Sequence, residues 1–328
     1  MSGLAQTLFM LAAALALDRL AGDPAWLWRR VPHPVVSTGR AIAGLEERLN
    51  REALSFAERR RRGVAALAVL VVAALALGWL VEKILRAGPL GLAVEIIVVS
   101  ILLAHKGLID HVAAVGRALE HGDLVSGRRA VADIVGRDVT VLDEAGVARA
   151  AIESGAENFS DAVVAPAFWF LLLGLPGLLV FKLASTADSM IGHRSPRYEA
   201  FGWAAARFDD ALNFVPARLS ALLIAGAAFF MRRPADAALR AAQADASKHK
   251  SPNAGWPEAA LAGALGLALG GPRSYGPAAV DGAWLNAAGR SEAGPADIAD
   301  AVRLIDAAWT ILAAATALLA IMLLALAR

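Results

Sequence analysis

Three carboxylates recur every four residues, at Glu153, Glu157 and Asp161, with Asn158 and Ser160 among them. A single helix at 3.6 residues per turn would project all three along one face. Acids so placed repel one another unless a cation intervenes. Hard oxygen donors suit Mg²⁺, which commonly takes one or two carboxylates and leaves its other positions to water and nucleotide phosphate. The alternative is a solvated helix face. These residues end a polar stretch from Gly136 to Asp161. A second stretch, Asp188 to Asn213, contains Asp188, His193, Arg194, Arg197, Arg207, Asp209, Asp210 and Asn213. Mixed charge of this kind is what an anionic substrate accompanied by a metal needs: arginine forks hold phosphate or carboxylate at two points, and acids beside them hold a cation or take a proton. Structural alternatives exist here too. Arg207 can pair with Asp210 one turn on, and His193 can be a plain polar contact.

The elements that position these residues are helical and membrane-bound. Thr140 and Asp143 have capping-box spacing, which predicts a helix starting at Thr140. Val141, Ala145, Ala148, Ile152 and Ala156 follow as its apolar stripe. Apolar residues make up 58% of the 328 residues, and mean hydropathy is +0.54, which points to lipid. Gly63 to Val81 carries no charge and is long enough as a helix to cross the roughly 30 Å hydrocarbon layer. Ala307 to Ala327 is a second clean span; Gly3 to Leu17 and Gly88 to Ala104 are weaker, the latter holding Glu95. That acid faces other helices or is a buried ionisable site. Leu8 to Leu17 lacks the basic flank of a cleaved signal and is read as an anchor or span. The basic run Arg59 to Arg62 before the first clean span places that end in the cytoplasm and against lipid headgroups.

His105 to Asp161 reads as a polar excursion, followed by apolar Ala162 to Phe181. Gly174-Leu175-Pro176-Gly177 interrupts the latter, and glycine with proline is a strong helix-break signal. The arm Ala162 to Leu173 would be only about 18 Å long, too short to cross alone. A re-entrant hairpin over 162–181 is therefore expected, bringing both polar stretches to one side; a kinked single span is the rival. Glu258 to Gly271 reads as a small-residue packing helix. The fold class expected is an all-α polytopic membrane protein with about four to seven membrane segments. It would form a single domain over 1–328, with the active site in the polar connections 105–161 and 182–213.

Several chemistries are excluded. The chain has no cysteine, hence no thiolate nucleophile and no cysteine-based metal site. No lysine follows a glycine, so there is no Walker A loop, and HExxH and GxSxG are absent. A net charge of +2 gives no reason to expect a nucleic-acid partner.

One family resemblance spans roughly residues 15 to 280. It rests on an ordered set: Gly22-Asp23-Pro24, Pro32-His33-Pro34, Gly136-Arg137-Asp138, Leu142-Asp143-Glu144, Ala156-Glu157-Asn158 with Ser160-Asp161, Asp188-Ser189-Met190, Phe201-Gly202-Trp203, Pro216-Ala217-Arg218 and Ser251 to Glu258. In these the chain resembles the CobD/CbiB family of adenosylcobinamide-phosphate synthases, membrane enzymes of cobalamin biosynthesis. The resemblance implies an amide ligase of the inner membrane with its site facing the cytoplasm. ATP, with Mg²⁺, would activate a carboxyl of the corrinoid adenosylcobyric acid for attack by the amine of aminopropanol phosphate or a related amino-alcohol phosphate. Contact with other membrane-associated cobalamin enzymes is a further expectation. Under that resemblance Glu157 and Asp161, supplemented by Asp188, are the metal candidates. Arg137, Arg194 and Arg197 are the phosphate candidates, with Arg207, Asn158, Ser160 and His193 as further substrate contacts. Asp209 or Asp210 is the candidate base. Phe159, Ala162 and Ser185 depart from the family's usual Thr, Gly and Asn, which touches substrate choice more than reaction type. Two rival classes stay open, a membrane transporter and a non-catalytic signalling relative of the AmpE-like kind.

Overall fold

The computed structural model describes residues 3–22, 28–30, 32–275, 278–280 and 282–326. Asp23 and Pro24 of the first resemblance motif, and Ala327 at the end of the last expected span, lie outside them. The described helices are α1 (Gly3–Ala21), α2 (Pro34–Leu49), α3 (Phe56–Leu85), α4 (Pro89–Leu102), α5 (His105–Glu120), α6 (Leu124–Ala132) and α7 (Glu144–Phe159). A π-turn (Ser160–Val164) leads into α8 (Ala165–Ile191), followed by α9 (Trp203–Phe230), α10 (Ala235–Asp245), α11 (Gly255–Leu265) and α12 (Pro295–Leu326). Between α11 and α12, β1 (Leu269–Gly270) pairs antiparallel with β4 (Trp284–Leu285), and β2 (Arg273–Tyr275) with β3 (Ala278–Val280). Among the described residues six helical segments are long and apolar enough to cross a membrane: Gly3–Ala21, Phe56–Leu85, Pro89–Glu120, Glu144–Ile191, Trp203–Phe230 and Pro295–Leu326. The protein is thus an all-α polytopic membrane protein with short strands in one connection.

The chain divides into two compact units. The first comprises Met1–Leu103, Ala165–Asn213 and Leu319–Arg328; the second comprises Ala104–Val164 and Phe214–Leu318.

In the first unit, α3 turns Val69, Val72, Leu77 and Trp79 outward, as a lipid-facing helix must. Glycines let its other side approach α8 closely: a methyl on Gly78 would lie 2.6 Å from the Pro176 Cα. Glu95 is fully buried and neutralised, because Arg86 donates to it through Nε at 3.0 Å and Nη2 at 2.8 Å. The Arg86 Nη1 also meets Glu82 at 2.7 Å. Such a pair is fixed because separating it would leave a charge stranded in apolar surroundings. The other Glu82 oxygen accepts the Leu175 N–H at 2.8 Å.

That contact caps a helix restarting after a break. Gly174 adopts φ 67° and ψ −152°, which glycine alone reaches without strain, and the ring of Pro176 offers no N–H. A methyl on Gly177 would lie 2.5 Å from the Trp169 carbonyl oxygen and 2.6 Å from the Leu173 Cβ. An unbroken helix would separate residues 169 and 177 by about 12 Å along its axis. The chain therefore turns a sharp corner where Gly and Pro announce one. The helix that enters this corner is not the short arm expected, however. Residues 144–173 are helical without a gap, so the arm entering the corner is far longer than the Ala162–Leu173 piece.

In the second unit α7 is buried on almost every face, with Val147, Ala148, Ala151, Ile152 and Ala156 inaccessible. Its start also corrects the sequence reading. Asp143, not Thr140, is the N-cap, accepting the Gly146 N–H at 2.7 Å. Thr140 is held outside the helix, its N–H donating to Asp138 at 2.9 Å, and Val141 is exposed. A short acid before an apolar run caps as well as threonine, and Asp138 competes for the threonine. Gly155 gives room for Val112 of α5 and Ile305 of α12, with a methyl there 3.2 Å from the Ile305 Cδ1. Gly263 of α11 lies against the Ala237 carbonyl of α10, the close packing expected of a small-residue helix.

Candidate functional site

The second unit contains a polar cleft of about 240 Å³ lined by Ile134, Val135, Gly136, Arg137, Ala150, Glu153, Ser154, Glu157 and Glu258. Its walls are a loop strapped onto α7 and the first turn of α11. Arg128 Nε donates to the Leu142 carbonyl at 2.7 Å and Ser154 Oγ to the Ile134 carbonyl at 2.7 Å, fixing both ends of the loop. Within it Thr140 donates to Asp138 from its hydroxyl, at 2.6 Å, and from its N–H; these bonds hold the Asp138 carboxyl below its ordinary range. This Asx turn presents Arg137 to the cleft, where its Nη2 donates to Glu153 Oε2 at 3.1 Å. The Glu153 Oε1 accepts the Gly270 N–H at 2.7 Å. One buried carboxylate thus ties together α7, the 134–142 loop and β1.

Arg137 keeps only 11% of its side chain exposed, and its Nε is buried with no hydrogen-bond partner among the described residues. A buried guanidinium N–H left without an acceptor carries a desolvation cost that an anionic group entering the cleft would remove. Glu258, 1% exposed, has Oε1 3.7 Å from His249 Nε2. The His249 Nδ1 lies 3.0 Å from the Ser251 N, an arrangement that turns Nε2 toward Glu258.

The predicted motif from Glu157 to Asp161 straddles the change from α to π geometry, a local feature frequent at functional positions. Glu157 is exposed at the cleft. Asn158 Nδ2 donates to the Ser154 carbonyl at 2.9 Å, and Ser160 is buried with its hydroxyl unmatched among the described residues. The wider turn leaves the Ala162 carbonyl to accept the Ala104 N–H at 3.2 Å. Asp161 lies in the π-turn and outside the cleft lining, so the four-residue repeat does not run down one regular helix face. Among the described residues no three acidic or imidazole groups converge as a ready-made cation cage.

In the first unit the second predicted stretch gathers partly. Asp188 feels the charges of Asp210 and His193, and Asp210 those of Arg207 and Arg194. Arg207 reaches Asp210 at 3.5 Å across an exposed turn. Asp209 accepts from Asn213 Nδ2 at 3.0 Å. Arg197 is engaged elsewhere: its Nε and Nη2 each donate to Glu46 at 2.9 Å, and Asn50 and Arg59 both donate to its carbonyl. Burial raises the Glu46 carboxyl, but hydrogen bonds from Arg197 and Asn50 outweigh it and hold the group below its ordinary range. Other resemblance motifs here are architectural. His33 Nδ1 accepts the Val35 N–H at 3.2 Å to cap α2, and Gly202 lies so close to the Ile191 carbonyl that a side chain would collide.

Glu258 of the cleft lining, and His249, which faces it from outside that lining, are absent from the predicted site. Ser251 to Glu258 did carry a signal as a motif, yet the alanines and glycines after Glu258 read as packing alone.

The family model described as CobD/Cbib protein matches residues 11–305. The cobalamin biosynthesis protein CobD of Rhizobium meliloti (strain 1021) is 50% identical over 323 residues, covering 98% of this chain and 99% of the relative. The protein of that name from Brucella suis biovar 1 is 51% identical over 314 residues, 95% of each chain. The one from Rhodobacter capsulatus is 47% identical over 299 residues, 90% of this chain and 91% of the relative. No solved structure matches.

Proposed function

This chain belongs to the CobD/Cbib family, and on that premise we propose that it works in cobalamin biosynthesis as an ATP-dependent amide ligase. It joins adenosylcobyric acid to aminopropanol phosphate, or a related amino-alcohol phosphate, giving adenosylcobinamide phosphate. The observation that carries the reading is the second-unit cleft. There Arg137, with a buried N–H lacking an acceptor among the described residues, stands among Glu153, Glu157 and Glu258.

The reaction has two parts. A corrinoid propionate oxygen attacks the γ-phosphorus of ATP, giving an acyl phosphate and ADP. The amine nitrogen then attacks the acyl carbon, the bond from that carbon to the phosphate oxygen breaks, and the nitrogen gives up a proton. Arg137 offers a fork to phosphoryl or carboxylate oxygens, held in place by Glu153. Glu258, with His249 beside it, is the proposed acceptor of the ammonium proton in this cleft. Asp209 and Asp210 remain the corresponding proposal for the first unit, where Arg194 and Arg207 are candidate phosphate contacts. Mg²⁺ fits the donor chemistry, since it needs only one or two carboxylates beside nucleotide oxygens and water. Glu157 is its first proposed ligand, and it would supply charge neutralisation on the transferring phosphoryl group.

A transport reading gains no support from Glu82 and Glu95, two acids within the first unit's spans, because both are paired with Arg86. The direct test is to incubate detergent-purified protein with ATP, Mg²⁺, adenosylcobyric acid and aminopropanol phosphate and seek the corrinoid amide by mass spectrometry. Product that disappears with Glu258→Ala is expected. No product with any amino-alcohol phosphate would overturn the reading.

A further inference from the structure

Pro216-Ala217-Arg218 lies outside the cleft lining, yet it sets a charge where charge is costly. Arg218 stands inside α9, one of the segments long and apolar enough to cross a membrane. At about 100° per residue, Phe214, Arg218, Leu222 and Phe229 fall within about 80° of one another round the helix. Phe214, Leu222 and Phe229 are exposed, so this is a face that α9 turns to lipid. A charged side chain there needs a partner or a route to the membrane surface.

Arg218 itself is half-buried, and what covers it is aromatic. Its Cζ lies 3.5 Å from the ring centroid of Phe214 and 4.6 Å from that of Trp256, a residue in the first turn of α11. All three belong to the second unit. The rings attract the guanidinium and fix its direction without neutralising it. Arg218 Nη1 donates to the Phe214 carbonyl at 2.5 Å. That bond draws the head one turn back toward the end of α9 that carries Arg207, Asp209 and Asp210. A long cationic side chain reaches in this way from an apolar face toward the headgroup level. Among the described residues no carboxylate offsets its charge.

We propose that the Phe214–Arg218–Trp256 cradle binds the phosphodiester of a phospholipid with net negative charge, whose acyl chains lie along Leu222 and Phe229. Both halves of such a molecule are matched. An arginine fork suits phosphate oxygens, and the exposed apolar residues beyond it in α9 require hydrocarbon. A soluble phosphate would leave that face unused. A headgroup bearing an ammonium would set a second cation beside Arg218, whose charge no described acid offsets. A glycerol headgroup brings no such cation, and the anionic lipid keeps its full attraction. None of the three cradle residues lines the cleft, and the proposal does not depend on the ligase reading.

The test is native mass spectrometry on the full-length, detergent-solubilised protein titrated with phosphatidylglycerol, with phosphatidylethanolamine of the same acyl chains, and with inorganic phosphate. Each is run on wild type, Arg218→Gln and Arg240→Gln, a control in an exposed ion pair with Asp236. Wild type is expected to retain phosphatidylglycerol over phosphatidylethanolamine. Arg218→Gln should lower that retention about fivefold, as one arginine at an anionic lipid surface implies, and Arg240→Gln should leave it unchanged. Equal retention of phosphatidylglycerol by wild type and folded Arg218→Gln, or equal retention of the two lipids by wild type, would overturn the proposal. So would binding of inorganic phosphate that needs Arg218 while lipid retention does not. Thermal unfolding verifies that each variant folds. If Arg218→Gln does not, wild type alone decides: phosphatidylglycerol with a photoreactive group beside its phosphate is expected to crosslink within residues 214–222 or 251–258, and labelling confined elsewhere contradicts the proposal.

Discussion

Replacing Glu153 by alanine should be among the most damaging single changes in the second unit. The side chain is buried and ion-paired with Arg137 at 3.1 Å, and it accepts the Gly270 N–H at 2.7 Å. Removing it leaves a guanidinium that is nine-tenths buried without its counter-charge. Breaking one partner of a buried pair costs about 3–5 kcal/mol, which includes much of the 1–3 kcal/mol expected for the orphaned N–H. At about 2–4 °C per kcal/mol, appropriate to larger domains, the unfolding midpoint should fall by roughly 6–20 °C. The informative comparison is Arg137→Met with Glu153→Leu in one chain. With no charge left stranded, the double variant should be more stable than Glu153→Ala alone, although both should lose turnover because Arg137 is gone or unanchored. Differential scanning fluorimetry in detergent reads stability, and the amide assay reads turnover. A midpoint within about 2 °C of wild type for Glu153→Ala, or a double variant less stable than the single, would refute the claim that this pair organises the cleft.

Gly174→Ala should destabilise by at least ~1–2 kcal/mol, because φ is 67° and the added carbon meets the Glu82 carboxylate; a wild-type midpoint would mean that the corner is not built as described. Gly202→Ala should abolish accumulation of folded protein, since its Cβ collides with the Ile191 carbonyl. Gly44→Ala, in α2 with open space around it, should be neutral or stabilise by about 0.5–1 kcal/mol; equal expression and melting of the two would contradict the packing account. Glu46 has a lowered carboxyl pKa in the folded state, against an ordinary value of 4.5. Its contribution is present above that ordinary value and is lost as pH falls through the lower folded value. Melting should therefore weaken below pH 4.5, and Arg197→Gln, which removes the largest lowering partner, should flatten that dependence.

The spans were legible because lipid demands uninterrupted apolar helix: the uncharged run from Gly63 to Val81 leaves no other reading. The corner at Gly174 was legible for a similarly local reason, in that glycine and proline act on their own backbone. What periodicity could not convey was long-range pairing. Glu153 reads as a polar helix face until Arg137 and Gly270, the latter 117 residues away, bury and satisfy it. Arg197 reads as a phosphate fork, and nothing in its neighbours signals that Glu46, 151 residues distant, accepts from its Nε and Nη2. The misplaced start of α7 reflects two caps three residues apart, decided by Asp138. Strands of two or three residues, as in β1 to β4, are too short for any alternation to register. Glu258 was hidden by composition, because its neighbours suit packing so well that one acid among them carried no pattern.

Oxygen tracing tests the ligase reading most directly. Adenosylcobyric acid labelled with ¹⁸O in both oxygens of the reacting carboxylate is supplied with ATP, Mg²⁺ and aminopropanol phosphate, and the released inorganic phosphate is analysed by mass spectrometry. An acyl phosphate route leaves one labelled oxygen in the amide and one in inorganic phosphate. Amide formed with unlabelled inorganic phosphate, or with the label in AMP, would contradict it.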